Sequence, residues 1–128
     1  MAEKILVIGG SGLLGYYLKQ NLTDADVYFT YKENKLDFKK ANFLDITNNS
    51  NLEKIFEKIK PNVIFHTAAI TDLDWCEKHE KETYELNTNP IKNITNLAKI
   101  YNSKLIFIST DSVFDGKLGG YQENDPLN

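Results

Sequence analysis

At 128 residues the chain is the size of one domain, able to bury roughly two thirds of its unfolded surface around a single core. With 41% apolar residues, 26% charged residues and a net charge of -3, it reads as a globular protein with no reason to seek nucleic acid or an acidic membrane. Cys76 has no partner for an internal disulfide, no segment approaches the roughly twenty apolar residues of a membrane span, and the start lacks a secretory pattern, so a cytoplasmic protein is expected.

Ile5, Leu6, Val7 and Ile8 form a β-branched-rich apolar run that glycines end abruptly, which predicts a strand buried on both faces at the centre of a sheet. Gly9, Gly12 and Gly15 follow three apart as a helix opens at Leu13, Leu14, Tyr16, Tyr17 and Leu18. In that pattern Gly9 permits the tight turn, Gly12 lets a diphosphate lie on bare backbone, and Gly15 lets the helix pack on the strand. The helix runs to Leu22, and Val27 to Thr30 makes a second strand, completing a unit of parallel-crossover length. An acidic residue at the second strand's tip suits a ribose 2′-hydroxyl and a basic one a 2′-phosphate. This chain offers Thr30, Tyr31 and Lys32 there, which favours NADP and leaves NAD open, because Glu33 is adjacent.

Asn42 to Asp45 predicts a short third strand, with Thr47 or Asn49 capping the next helix. Leu52, Ile55, Phe56 and Ile59 mark the buried face of that helix, and Pro61 closes it. Val63 to His66 is a fourth strand, running into Thr67, Ala68 and Ala69, whose small side chains leave room for a flat ring or simply pack tightly. His66 is expected to be partly buried and satisfied by backbone, since neither it nor His79 has metal-site spacing. From Thr71 to Asn102 the pattern is helical: a short acidic turn over Asp72 to His79, then a longer segment that breaks near Asn89 because Pro90 follows. Cys76, beside Trp75, reads as a packing residue, with nothing to support a nucleophilic thiol. Leu105 to Ile108 is a fifth buried strand, delivering Ser109, Thr110 and Asp111 to the edge where open α/β sheets bind ligands. Val113 to Asn128 is polar and glycine-rich, with turns at Asp115-Gly116 and Gly119-Gly120. The resulting fold class is α/β, a Rossmann-type doubly wound parallel sheet that stops after about five strands.

Several stretches resemble one family: the bend from Gly9 to Gly15, Phe43-Leu44-Asp45-Ile46-Thr47, Ala68-Ala69-Ile70-Thr71, Asn87, and above all Leu105 through Gly116 with its Ser-Thr-Asp-x-Val-Phe-Asp-Gly. They look like an extended short-chain dehydrogenase/reductase of the dTDP-4-dehydrorhamnose reductase group, which reduces a 4-keto nucleotide sugar with NAD(P)H. The resemblance implies that Gly12, Leu13 and Leu14 touch the diphosphate, that Asp45 and Ile46 bracket the adenine, and that Ala69, Ile70 and Thr71 line the nicotinamide side, next to Ala68. It makes Thr110 the hydroxyl on the substrate carbonyl and places Asp111 beside it on the sugar. A strand-end hydroxyl can stabilise a developing alkoxide, which gives Thr110 a physical rationale.

The family's Tyr-x-x-x-Lys pair, in which the lysine lowers the tyrosine's pKa so that the phenol can donate a proton, has no match here. Tyr121 is the sole tyrosine after Thr110, and residue 125 is Asp. Residues 1–128 are therefore expected to be an NAD(P)-binding domain, inactive alone, with the catalytic helix and substrate domain outside this sequence. The apolar run Leu105 to Ile108 then needs a cover, from a missing C-terminal half or from another subunit in a homo-oligomer. Two other readings stay open: a non-catalytic dinucleotide-binding regulatory subunit like that of methionine adenosyltransferase, and a nucleotide-sugar epimerase or dehydratase. Ser109-Thr110-Asp111 leans against the last.

Overall fold

The computed structural model describes residues 2–128. Ile5 to Ile8 lie in β1 (Lys4–Ile8), the middle strand of a parallel sheet completed by β2 (Asp26–Tyr31), β3 (Ala41–Phe43), β4 (Val63–His66) and β5 (Lys104–Phe107). The spatial order is β3-β2-β1-β4-β5. The helices are α1 (Leu13–Asn21), α2 (Asn49–Ile59), α3 (Leu73–Lys78), α4 (Glu80–Asn87) and α5 (Asn89–Ile100). This is a Rossmann-type doubly wound fold: the chain winds outward from β1 to β3, then returns to set β4 on the other side of β1. The winding thus reverses between β1 and β4, and a crevice opens there at the strands' C-terminal ends.

Period-two alternation assigns the apolar residues to two cores. Leu6, Ile8 and Ile64 point to one face, where Leu52, Ile55, Phe56 and Ile59 of α2 meet Ile94 and Ala98 of α5. Ile5, Val7, Val27 and Phe29 point to the other, covered by Leu18, Leu22, Leu36 and Phe38. Each of the larger buried side chains contributes about 1.5–3 kcal/mol, and β1, feeding both cores, has no residue in solvent beyond Lys4 at its start.

Three local expectations need correction. The cap of α2 is neither Thr47 nor Asn49 but Asn48, whose side chain accepts the Asn51 amide at 3.1 Å. Thr47 is turned back to Asp45, and Asn49 accepts from Asn93. The third strand ends at Phe43, not Asp45, although the Leu44 amide still reaches Tyr31 O at 2.9 Å. As α1 opens where expected, Leu13, Leu14, Tyr16 and Tyr17 are exposed on it, while Leu18, and Leu22 at its C-cap, face the sheet. The fifth strand runs Lys104–Phe107, one residue earlier than expected, and is not buried: Leu105 and Ile106 are half-buried, and Phe107 and the following Ile108 are exposed. It is the edge strand, and among the described residues nothing pairs with its outer side.

The helical break falls where proline requires it. Helix α4 ends at Asn87, Thr88 is the joint, and α5 begins at Asn89 with Pro90 in its first turn, where the missing N–H costs nothing. Beyond β5 a 3₁₀ turn covers Asp111–Val113. The tail then folds on itself, with Gly116, Gly119 and Gly120 at positive φ and the Tyr121 ring stacked 4.7 Å from Phe114. The Tyr121 hydroxyl is engaged by the Asp115 carboxylate. No helix among the described residues is long and apolar enough to cross a membrane.

Candidate functional site

At the C-terminal end of β1 the chain makes a bend whose glycines have different reasons to be glycine. Gly9 has φ +89°, and a Cβ there would lie 2.7 Å from the Ala68 amide nitrogen. A Cβ on Gly10 would meet the Phe29 side chain at 2.8 Å, and the Gly10 amide donates to Thr30 O at the same distance. A Cβ on Gly15 would meet the Gly10 backbone, with its carbonyl carbon 2.6 Å away. Gly15 therefore packs α1 on the bend, not on the strand as the spacing alone suggested. Gly12 stands apart: its φ of -81° suits any residue, and the nearest atom to its Cβ position is Gly9 O at 3.4 Å. The chain's own packing does not require glycine there.

Gly12 is also the N-cap of α1 and offers no side chain to the first-turn amides. Those amides carry the positive end of the helix dipole, so the opening in front of Gly12 suits an anion. It belongs to a cleft of about 270 Å³ at the β1/β4 crossover. One wall is the bend, with Gly9, Ser11 and Gly12; another is Thr30 through Asn34, at the end of β2 and just beyond it; Leu44 and Ile46 floor one end, and Thr67 through Ile70 with Leu86 close the other. A long ligand with an anionic middle and two flat ends fits this shape. These residues fit a dinucleotide cofactor.

Polar side chains brace the cleft from behind. Buried Thr30 donates its hydroxyl to Val7 O and accepts the Gly9 amide, both at 3.3 Å. The Thr67 hydroxyl donates to Ile8 O at 2.9 Å, with Gly9 O 3.2 Å away. Asn87, the last residue of α4, clamps the loop after β4 at two points: its Oδ1 accepts the Ile70 amide at 2.8 Å and its Nδ2 donates to Ile70 O at 2.9 Å. Sequence reasoning reached Asn87 only through the family likeness, and it missed Gly10 and the bracing role of Thr67. The signals were present but mute, since the partners are distant in the chain.

Gly9, Gly12, Lys32, Ile46, Ala68, Ala69 and Ile70 line the cleft; Leu13, Leu14, Gly15, Asp45 and Thr71 do not. Leu13 projects into solvent, Gly15 is buried under the bend, and Asp45 meets the cleft through Lys32, whose Nζ lies 3.2 Å from its Oδ2. Burial pushes the Asp45 carboxyl up, but the Thr47 hydroxyl and amide and the Lys32 ammonium together outweigh it and hold the pKa below the ordinary carboxylate value. Thr110 and Asp111 lie past β5, outside the cleft lining, where the Thr110 hydroxyl caps the 3₁₀ turn by accepting the Ser112 amide at 3.1 Å. Its proton faces Asp111 Oδ1 at 3.4 Å.

His66 departs from expectation. It is 2% exposed, yet neither ring nitrogen has a hydrogen-bond partner among the described residues. Its ring leans on Phe107, with centroids 5.6 Å apart. Burial pushes its pKa down to about 4, so it is neutral at physiological pH.

Comparison with known proteins agrees with this geometry. The chain is 37% identical over 123 residues to dTDP-4-dehydrorhamnose reductase of Aggregatibacter actinomycetemcomitans, a match covering 95% of this chain and 40% of that protein. It is 34% identical to the methionine adenosyltransferase 2 subunit beta of Danio rerio, covering 98% of this chain and 39% of that one. Among solved structures it superposes with a TM-score of 0.90 at 33% identity on a hypothetical dTDP-4-dehydrorhamnose reductase from Sulfolobus tokodaii, covering 98% of this chain and 45% of that one. The dTDP-4-dehydrorhamnose reductase of Bacillus anthracis, solved in complex with NADP, gives 0.77 at 32%, covering 91% and 39%. The chain thus spans about 40% of the length of the curated relatives it matches. The family model described as the RmlD substrate binding domain matches residues 3–128, and the chain, with its Rossmann-type sheet and dinucleotide cleft, belongs to that family.

Proposed function

We propose that these residues are the coenzyme-binding part of an NAD(P)H-dependent reductase acting on a 4-keto nucleotide sugar in the cytoplasm. The observation that carries the reading is the first turn of α1, left uncapped and unobstructed by Gly12 at the mouth of a cleft with a flat-ring wall at each end. The coenzyme supplies the hydride when bound. In this reading Gly9, Gly12, Leu13, Leu14 and Gly15 form the diphosphate bend, and Asp45 and Ile46 flank the adenine. Ala68, Ala69, Ile70 and Thr71 back the nicotinamide, with Asn87 holding that loop. Thr110 directs its hydroxyl at the sugar carbonyl once substrate displaces its contact with Asp111, which then faces the sugar. Lys32 supports NADPH over NADH as the coenzyme.

The proton donor of the family, Tyr-x-x-x-Lys, has no counterpart in these residues, so we assign it and the sugar-binding segments to sequence outside them. The same missing part, or a second subunit, is the proposed cover of β5. Titration with NADPH and NADH, followed by reduced-nicotinamide fluorescence, tests the reading: submillimolar binding supports it, and binding of neither at millimolar concentration overturns it. The likeness to a methionine adenosyltransferase beta subunit favours a second reading, a non-catalytic dinucleotide-binding subunit. A Tyr-x-x-x-Lys helix encoded downstream of codon 128 decides for the reductase.

A further inference from the structure

Lys32 leaves the tip of β2 and Asp45 lies just beyond β3. The register that sets Tyr31 opposite Phe43 brings their side chains together at the adenosine end of the cleft. Lys32 Nζ sits 3.2 Å from Asp45 Oδ2. The other carboxylate oxygen, Oδ1, accepts the Thr47 amide at 3.0 Å and the Thr47 hydroxyl at 2.7 Å. The two Thr47 contacts fix the orientation of the carboxylate independently of Lys32. Lys32 and Glu33 both line the cleft. Among the described residues that line the cleft, the cation facing a 2′-phosphate is therefore shared with an anion, and a second acid stands beside it. A phosphate that reached Lys32 would also approach the Asp45 carboxylate and be repelled by it.

We propose that Asp45 is a specificity-determining residue that acts through Lys32: by holding the ammonium in an ion pair, it weakens the preference for a 2′-phosphate that Lys32 alone would create. The site then still favours NADPH, but by less than an unpaired Lys32 would make it. The inference rests on the coenzyme-binding reading above. Asp45→Asn is a suitable perturbation because its amide oxygen keeps the Thr47 contacts while the charge is lost. Ion pairs of this exposure shift equilibria by up to about fivefold, which sets the expected effect.

The test titrates the full chain, Asp45→Asn, Lys32→Met and the double variant with NADPH and with NADH, reading the ratio of the two affinities. An effect of Asp45 on adenine packing alone moves both affinities together and leaves the ratio unchanged. We expect Asp45→Asn to raise the NADPH preference about fivefold, Lys32→Met to lower it, and Asp45→Asn in the Lys32→Met background to change it by less than about twofold. An unchanged ratio in Asp45→Asn, or the full increase persisting without Lys32, overturns the inference while leaving the coenzyme site in place. Failure of the unmodified chain to bind either dinucleotide overturns both.

Discussion

A pair of alanine substitutions separates what the bend does for the fold from what it does for a ligand. In Gly15→Ala the new methyl would lie within 2.6 Å of the Gly10 carbonyl carbon and Cα, and backbone does not yield as a flexible side chain would. Overpacking of this kind costs about 1–3 kcal/mol, and rigid neighbours place it at the upper end. Unfolding entropy of about 2.1 cal/mol/K per residue gives about 0.27 kcal/mol/K for this chain, so a loss of about 3 kcal/mol lowers Tm by about 11 °C. Gly12→Ala meets nothing closer than 3.4 Å at an ordinary φ. Its cost is that of alanine at an N-cap, about 0.5–1 kcal/mol and at most about 4 °C. That methyl does, however, occupy the space in front of the α1 amides, and losing one charge-assisted hydrogen bond to a phosphate weakens binding by about ten- to a hundredfold. Thermal melts by circular dichroism and NADPH titration measure the two effects separately. The reasoning fails if Gly15→Ala melts within about 2 °C of the unmodified chain, or if Gly12→Ala binds NADPH unchanged.

Three other residues make predictions of different kinds. His66 has a folded-state pKa near 4 against about 6.5 unfolded, so in that interval the unfolded chain binds the extra proton; stability is full above pH 6.5 and falls by about 3 kcal/mol as pH drops toward 4. Urea midpoints across that range should flatten in His66→Phe, and parallel curves for the two proteins would refute the assignment. Asn87→Ala strips both partners from the half-buried Ile70 backbone, costing about 1–3 kcal/mol. Amide exchange at Ile70 should accelerate at least tenfold relative to that at Leu6, and equal rates would mean the clamp is idle. Lys60 closes α2 at φ 51° and ψ 64°, a conformation that favours glycine, so Lys60→Gly should raise Tm by about 4 °C through a gain of about 1 kcal/mol; a lower Tm would show that the lysine side chain contributes more than the strain it bears.

Legibility in the sequence followed the distance over which each residue's reason acts. Ile5 to Ile8 and Val63 to His66 could be read because burial on two faces demands unbroken apolar runs, and glycine or proline bounds them. The joint at Thr88 was readable because Pro90 restricts its own neighbourhood. Gly10 was not, since the need for it comes from Phe29 on another strand. The pairing of Lys32 with Asp45 depends on the β2–β3 register, which no local pattern encodes. His66 was misjudged for a similar reason: its neighbour Phe107 is supplied by β5, and that ring gives an imidazole no partner. Apolar content misled at β5, because hydrophobicity says that a residue favours cover and not whether this part of the chain supplies it.

The division of polar groups around the crevice explains why a ligand site forms there at all. Where parallel strands end, their last carbonyls lose ladder partners and must be satisfied some other way. Ile8 O takes both the Thr67 amide and its hydroxyl at 2.9 Å, Val7 O takes the Thr30 hydroxyl, and Gly9 O takes the Gly12 amide at 3.1 Å. Asn87 does the same for Ile70 on the far wall. The ends of β1 and β4 are thus closed and held rigid by internal hydrogen bonds. Thr30 and Thr67 have already committed their hydroxyls to backbone, leaving the first turn of α1 as the donor-rich surface without a side-chain cap. A rigid bend whose hydroxyls are committed to backbone, beside an uncapped helix start, favours an anion at that helix start. That asymmetry, more than the glycine spacing that first draws the eye, supports the proposal that a diphosphate lies there.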